Sequence, residues 1–182
     1  MKHHQALRMS LLVAATLWLP LQAADLLSSA ELKRSKAEID ATYAKDKAAC
    51  GALRSNALDV CREEAKGRER IAQAELDHRN SGSAADAFKV RTIKAEMAYA
   101  LAREKCDDWN GNAKDVCVKE AKAVEVKAMA DAKLGQTISE AKRDASDDKR
   151  KADYKVAAEK CESMSGDPKS ACVANAKSLY GQ

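Results

Sequence analysis

The sequence predicts an all-α protein of three tandem helical hairpins, about six helices in all, with each tip closed by a disulfide and the whole forming an elongated bundle or solenoid-like array. Three observations carry that expectation. Two cysteines flanking ten residues occur three times, as Cys50 to Cys61, Cys106 to Cys117 and Cys161 to Cys172. The copies also agree beyond the cysteines. A tyrosine stands seven residues before each first cysteine (Tyr43, Tyr99, Tyr154), and a large apolar residue three after it (Leu53, Trp109, Met164). Glu64-Ala65-Lys66, Glu120-Ala121-Lys122 and Asn175-Ala176-Lys177 follow each second cysteine, so the period is 55 to 56 residues, as in stacked supersecondary units. Finally, 33% of the chain is charged, phenylalanine occurs once (Phe88), and proline is absent between Pro20 and Pro168. Its abundant alanine, lysine and glutamate are strong helix formers.

The cysteine spacing itself demands a reversal. Eleven residues along one helix climb ~16 Å, whereas a disulfide needs its Cα atoms within ~7 Å. The middle residues of each motif, Ser55-Asn56, Gly111-Asn112 and Gly166-Asp167, suit a turn: glycine takes the left-handed conformation that ends a helix, and asparagine or aspartate caps the next one. Asp59 and Asp115 place an acid in the first turn, and Pro168 sits where its missing N–H costs nothing. Among the pairings that six cysteines allow, only pairing within each motif treats the three copies alike.

Taken in order, residues 1 to 23 combine a basic start (Lys2, Arg8), an apolar run from Met9 to Leu21 and a small residue, Ala23. This is the pattern of a secretory signal peptide, with cleavage expected after Ala23 and no stable membrane anchor afterwards. Repeat 1 then covers 24–82, repeat 2 covers 83–136 and a shortened repeat 3 covers 137–182. Ser28 and Glu31 predict a capping box for a first helix reaching Leu53. A second helix runs from Asn56 to the stop cluster Asn80-Ser81-Gly82. Ser83 and Asp86 cap a third that ends at Gly111. Its seam residues Phe88, Thr92, Ala95, Tyr99, Ala102, Cys106 and Trp109 follow the alternating steps of four and three that coiled coils use. A fourth helix carries Cys117, Ala121, Val124 and Ala128 on the matching stripe and stops at Gly135. Thr137 and Glu140 open a fifth helix that reaches Met164, and a short sixth runs from Pro168 to Leu179. From Ser139 to Asp153 the fifth is almost wholly charged or alanine and has little to bury.

Export accounts for the cysteines, since disulfides persist in oxidising compartments, and it places the protein in the periplasm. Zinc sites favour close cysteine pairs with histidines, and after residue 23 the one histidine is His78. No metal and no cofactor are expected. Nor is catalysis, because no nucleophile has a base in reach in the sequence and no phosphate loop, C-x-x-C or H-E-x-x-H occurs. Alternating charge signs on every helix argue for solvated faces and against nucleic acid. The tyrosine row reads as packing over the hairpin seam, as does the apolar residue at each tip. A second stripe on the third helix, Val90, Ile93, Met97 and Leu101, requires a cover. Burial within the chain is one reading, and an interface for self-association or for a protein partner is the other.

The wording Ala113-Lys114-Asp115-Val116-Cys117-Val118-Lys119-Glu120-Ala121-Lys122 resembles exported Ala/Lys-rich Cys-repeat proteins of Gram-negative bacteria, a group without an assigned activity in which some members are labelled TolA-like or cell-envelope proteins. The resemblance implies a periplasmic address. The expected function is therefore a non-enzymatic structural or interaction role in the cell envelope. The alternative is a thiol-based stress-response or metal-handling protein.

Overall fold

The computed structural model describes residues 26–181, and among these the chain is almost wholly helical with no strand. The expected signal peptide lies outside the described residues. Five α-helices follow one another: α1 Ser29–Ala49, α2 Ser55–Ser81, α3 Ala84–Cys106, α4 Gly111–Cys161 and α5 Gly166–Tyr180, with a short 3-10 turn at Cys50–Ala52 after α1. Each α-helix packs on its neighbours in sequence and on no other, so the helices form a serial antiparallel row and not a closed ring.

The caps form where the sequence placed them. Ser28 Oγ accepts from the Glu31 N–H at 3.3 Å, and the Glu31 carboxylate accepts from the Ser28 N–H at 2.9 Å. At α3, Ser83 Oγ accepts from the Asp86 N–H at 3.0 Å, while both Ser81 and Ser83 hydroxyls donate to the Asp86 carboxylate. Gly82 ends α2 in the left-handed region at φ 62°, the stop that Asn80-Ser81-Gly82 predicts.

All three cysteine pairs are closed within their motifs, with Cα–Cα distances of 5.7, 5.8 and 5.8 Å. The tips share one geometry. The first helix of each pair ends at its cysteine, three to five residues earlier than expected, and the N–H three residues on (Leu53, Trp109, Met164) donates back to the cysteine carbonyl at 3.0 Å. An extended residue follows (Arg54, Asn110 or Ser165), and the next residue is left-handed: Ser55 at φ 51°, Gly111 at 56°, Gly166 at 64°. The left-handed residue thus opens the second helix instead of closing the first. The expected asparagine caps are not made: α2 and α4 start without a side-chain cap, and Asn56 Nδ2 is buried without a partner.

One expected break is absent. Gly135 and Thr137 do not divide two helices; α4 runs unbroken for 51 residues, about 77 Å at 1.5 Å per residue, and the 136/137 boundary falls inside it. Glycine within a helix costs only about 1 kcal/mol relative to alanine, and no proline reinforces the stop. Thr137 Oγ1 donates back to the Lys133 carbonyl at 3.1 Å instead of capping, and Gln136 donates to Glu140 at 2.9 Å. A Cβ at Gly135 would meet only the guanidinium of Arg91 on α3, the end of an exposed side chain.

The seams are thin, as small side chains dictate. Fully covered positions are mostly alanine, glycine and cysteine: Ala65, Gly67 and Ala74 on α2, Ala95 on α3, Ala132 on α4, Ala176 on α5, and Cys50, Cys106 and Cys161. Among the described residues, the larger buried side chains are Leu76, at 1% exposure, and Met97, and α1 buries none of its residues.

Candidate functional site

The residues singled out in the sequence fall into three places. At the tips, the disulfides join helices while leaving the adjoining apolar residues in water. Leu53 is 37% exposed, Trp109 57% and Met164 46%, so the expected packing of these residues is not found. Each lies in the short turn just past its cysteine, where the chain has already left the helix seam. Within each bridge, Cys50, Cys106 and Cys161 are fully buried, whereas Cys61, Cys117 and Cys172 are half-buried.

The tyrosines are half-buried in all three copies. Lys122 of α4 lies over the Tyr99 ring at 4.9 Å, across the α3/α4 seam, and Lys47 lies over Tyr43 at 5.6 Å. Tyr43 also lines an open groove between α1 and α2, with Ile39, Ala72 and Arg68, and with His78 at its end. Arg68 Nε donates to Asp46 across the groove at 2.8 Å, and Thr42 Oγ1 is spent on the Glu38 carbonyl at 2.7 Å. His78 Nδ1 is buried without a partner.

The stripe Val90, Ile93, Met97 and Leu101 faces α2. Met97 is 8% exposed, and it lies against Gly67, whose missing Cβ would stand 3.5 Å from the Met97 Cβ. Leu101 and Met97 share a shallow depression with Ile71, and Val90 reaches the floor of the α1/α2 groove. Arg70–Glu96 at 3.3 Å, Lys89–Asp77 at 3.0 Å and Lys94–Glu75 at 2.6 Å flank the stripe. Met97 is thus covered by α2, while Val90, Ile93 and Leu101 are half-buried. Sequence periodicity finds the stripe but carries no sign of which helix will cover it.

Hydrogen bonds from Ser28 hold Glu31 below the usual carboxylate range, and those from Ser81 and Ser83 do the same for Asp86. Hydrogen bonding to Asp77 raises Lys89, and hydrogen bonding to Glu125 raises Lys122. Each of these groups belongs to a helix cap or a surface ion pair. Among the described residues, no cluster of three or more His, Cys, Asp or Glu is placed to hold a metal ion, and no helix is long and apolar enough to cross a membrane. Comparisons with protein-family models, with curated proteins and with solved structures return no match to this chain.

Proposed function

We propose that the chain is a non-enzymatic helical-repeat protein of the periplasm, with a structural or protein-interaction role in the cell envelope. The observation that carries the reading is the disulfide at every hairpin tip, because thin alanine seams depend on covalent closure and closure requires an oxidising compartment. The amino-terminal signal pattern and the resemblance to exported Ala/Lys-rich proteins agree with that address. Paired helices with coiled-coil-type seams and solvated outer faces serve to hold or to space other molecules. Fractionation of the native host tests the reading: the protein is expected in the periplasmic fraction, beginning at Ala24, with no free thiol. A cytosolic protein with reduced cysteines would overturn it.

A thiol-based role is the second reading, and Cys61, Cys117 and Cys172 favour it, since each is less covered than the cysteine it is bonded to and disulfide exchange depends on access. Equilibration against glutathione separates the two. Structural bridges stay oxidised, while a cycling bridge opens at the potential of the glutathione pool.

A further inference from the structure

Helix α4 is covered on one side only. At 100° per residue, Cys117, Ala121, Ala128, Ala132 and Gly135, the positions toward α3, fall on one face, and Ala157 and Cys161, the positions toward α5, fall within about a right angle of it. On the same count the positions at 260° to 340° from Cys117 form an exposed flank beside the α3 seam, and α1 and α2 do not pack on α4. The flank is not uniformly polar. Val116 is 44% exposed, Val124 62%, Leu134 58% and Ile138 46%, and Lys127 and Asp131 stand among them, both exposed.

These charges differ from others on α4. Lys114 is paired with Asp107 at 2.8 Å and Lys122 with Glu125, but among the described residues neither Lys127 nor Asp131 has an ion pair. Their order suits one partner. When α4 is laid antiparallel on a second α4 with the twofold axis between Lys127 and Asp131, each Lys127 meets the other copy's Asp131, and each Val124 meets the other copy's Leu134. The face is self-complementary in charge and in apolar contacts, the condition an isologous interface must satisfy.

We infer that this exposed flank of α4 is a homodimer interface, with two copies of the chain crossing antiparallel through Val124, Lys127, Asp131 and Leu134. The inference concerns pairing between copies and does not depend on the compartment proposed above. The reciprocal ion pairs lie at the centre of the contact, with Val124 and Leu134 on either side of them, and set its antiparallel orientation.

Sedimentation of the disulfide-bonded full chain tests the inference, with three charge variants beside the parent. The parent is expected to dimerise with concentration. Lys127→Asp turns both attractive pairs into repulsive ones, and so does Asp131→Lys, so each alone should weaken association on the order of tenfold or more. A mixture of the two single variants restores both pairs and should form a heterodimer, and the double variant Lys127→Asp/Asp131→Lys should recover the homodimer. All four should share one thermal melt at low concentration, because neither residue has an intrachain ion pair to lose. A parent that stays monomeric throughout overturns the inference. So does a dimer indifferent to the single substitutions, or a mixture that fails to pair.

Discussion

The second and third hairpins share α4 and carry the same cysteine motif, yet they are built to different depths. In the second, α3 has 23 residues and lies along the first half of α4, with Ala95, Ala132 and Cys106 buried, Arg91 over Gly135, and Lys133 over the Phe88 ring at 5.8 Å. In the third, α5 has 15 residues, and Ala176 and Cys161 are the buried positions at its seam. The bridges are closed alike, with Cα–Cα distances of 5.8 Å in both. One covalent device therefore does two jobs. It reinforces a seam that has packing of its own, and it holds in place a helix that has almost none. A helix of about 12 to 15 residues is marginal alone in water, so α5 depends on its tether for both position and helicity.

Leu76→Ala should have the largest effect and should confine it to the deeper half. Leu76 is 1% exposed and lies beside Lys36 and Asp40 of α1, so its truncation should cost about 2 to 5 kcal/mol. Chemical denaturation followed by hydrogen exchange should show α1 and α2 weakened while residues 166–180 exchange as before. Equal loss of protection in α5 would mean that the two halves unfold as one unit.

Next comes the bridge itself. Each disulfide contributes about 3 kcal/mol in the chain-entropy model, but the consequence should depend on what lies behind it. Cys161→Ala/Cys172→Ala should abolish amide protection across α5, whereas Cys106→Ala/Cys117→Ala should lower the melting temperature and leave α3 protected. If both double variants behave alike, packing depth is not what separates the hairpins.

A smaller effect compares the first tip with the other two. Ser55 holds φ 51° where Gly111 and Gly166 hold 56° and 64°, and a residue with a Cβ is strained there by about 1 to 2 kcal/mol. Ser55→Gly should therefore stabilise the first hairpin by up to about 1 kcal/mol, after its extra chain entropy when unfolded is allowed for. A destabilised variant would show that the serine hydroxyl makes a contribution larger than the strain.

The smallest is the pH dependence of the caps. Because Glu31 and Asp86 are held below the usual carboxylate range, their contribution is fully present above about pH 4 and is lost as pH falls through the lowered values. Melting temperature should fall slightly more steeply below about pH 4 in the parent than in a Ser28→Ala/Ser83→Ala variant. Parallel acid profiles would remove the caps from the account.

Local signals were read well from sequence where one side chain settles them. Ser28 with Glu31, Ser83 with Asp86 and the left-handed Gly82 act within one turn, and the cysteine pairs follow from a distance that a straight helix cannot close. Gly135-Gln136-Thr137 was misread because its weak local preference to stop competes with packing on α3, an element far from it in sequence, in a stretch where Ala132 is buried. Trp109, Leu53 and Met164 were misplaced for a related reason: the repeat fixes their offset from the cysteine, but the seam ends one short turn before them. The exposed flank of α4 escaped notice because Val124 was read as part of the stripe facing α3, whereas it is 62% exposed.

The unbroken α4 also makes the chain behave as a screw thread. Between the part under α3 and the part under α5 lies a span near residues 141–153 that is almost wholly exposed, with local pairs such as Arg150–Asp147 at 2.5 Å and Arg143–Asp144 at 3.7 Å. Beyond Arg143, which lies near the α2/α3 turn, the span is almost wholly exposed, so its sequence is free to drift, but its length is not. Each residue added or removed turns the carboxy-terminal hairpin by about 100° about the shaft and moves it by about 1.5 Å. Removing two would swing α5 about 200°, from the side it shares with α3 to the side now bare. Azimuth, then, is stored in a residue count: the arrangement of the two ends is kept by the number of residues between them and not by any contact.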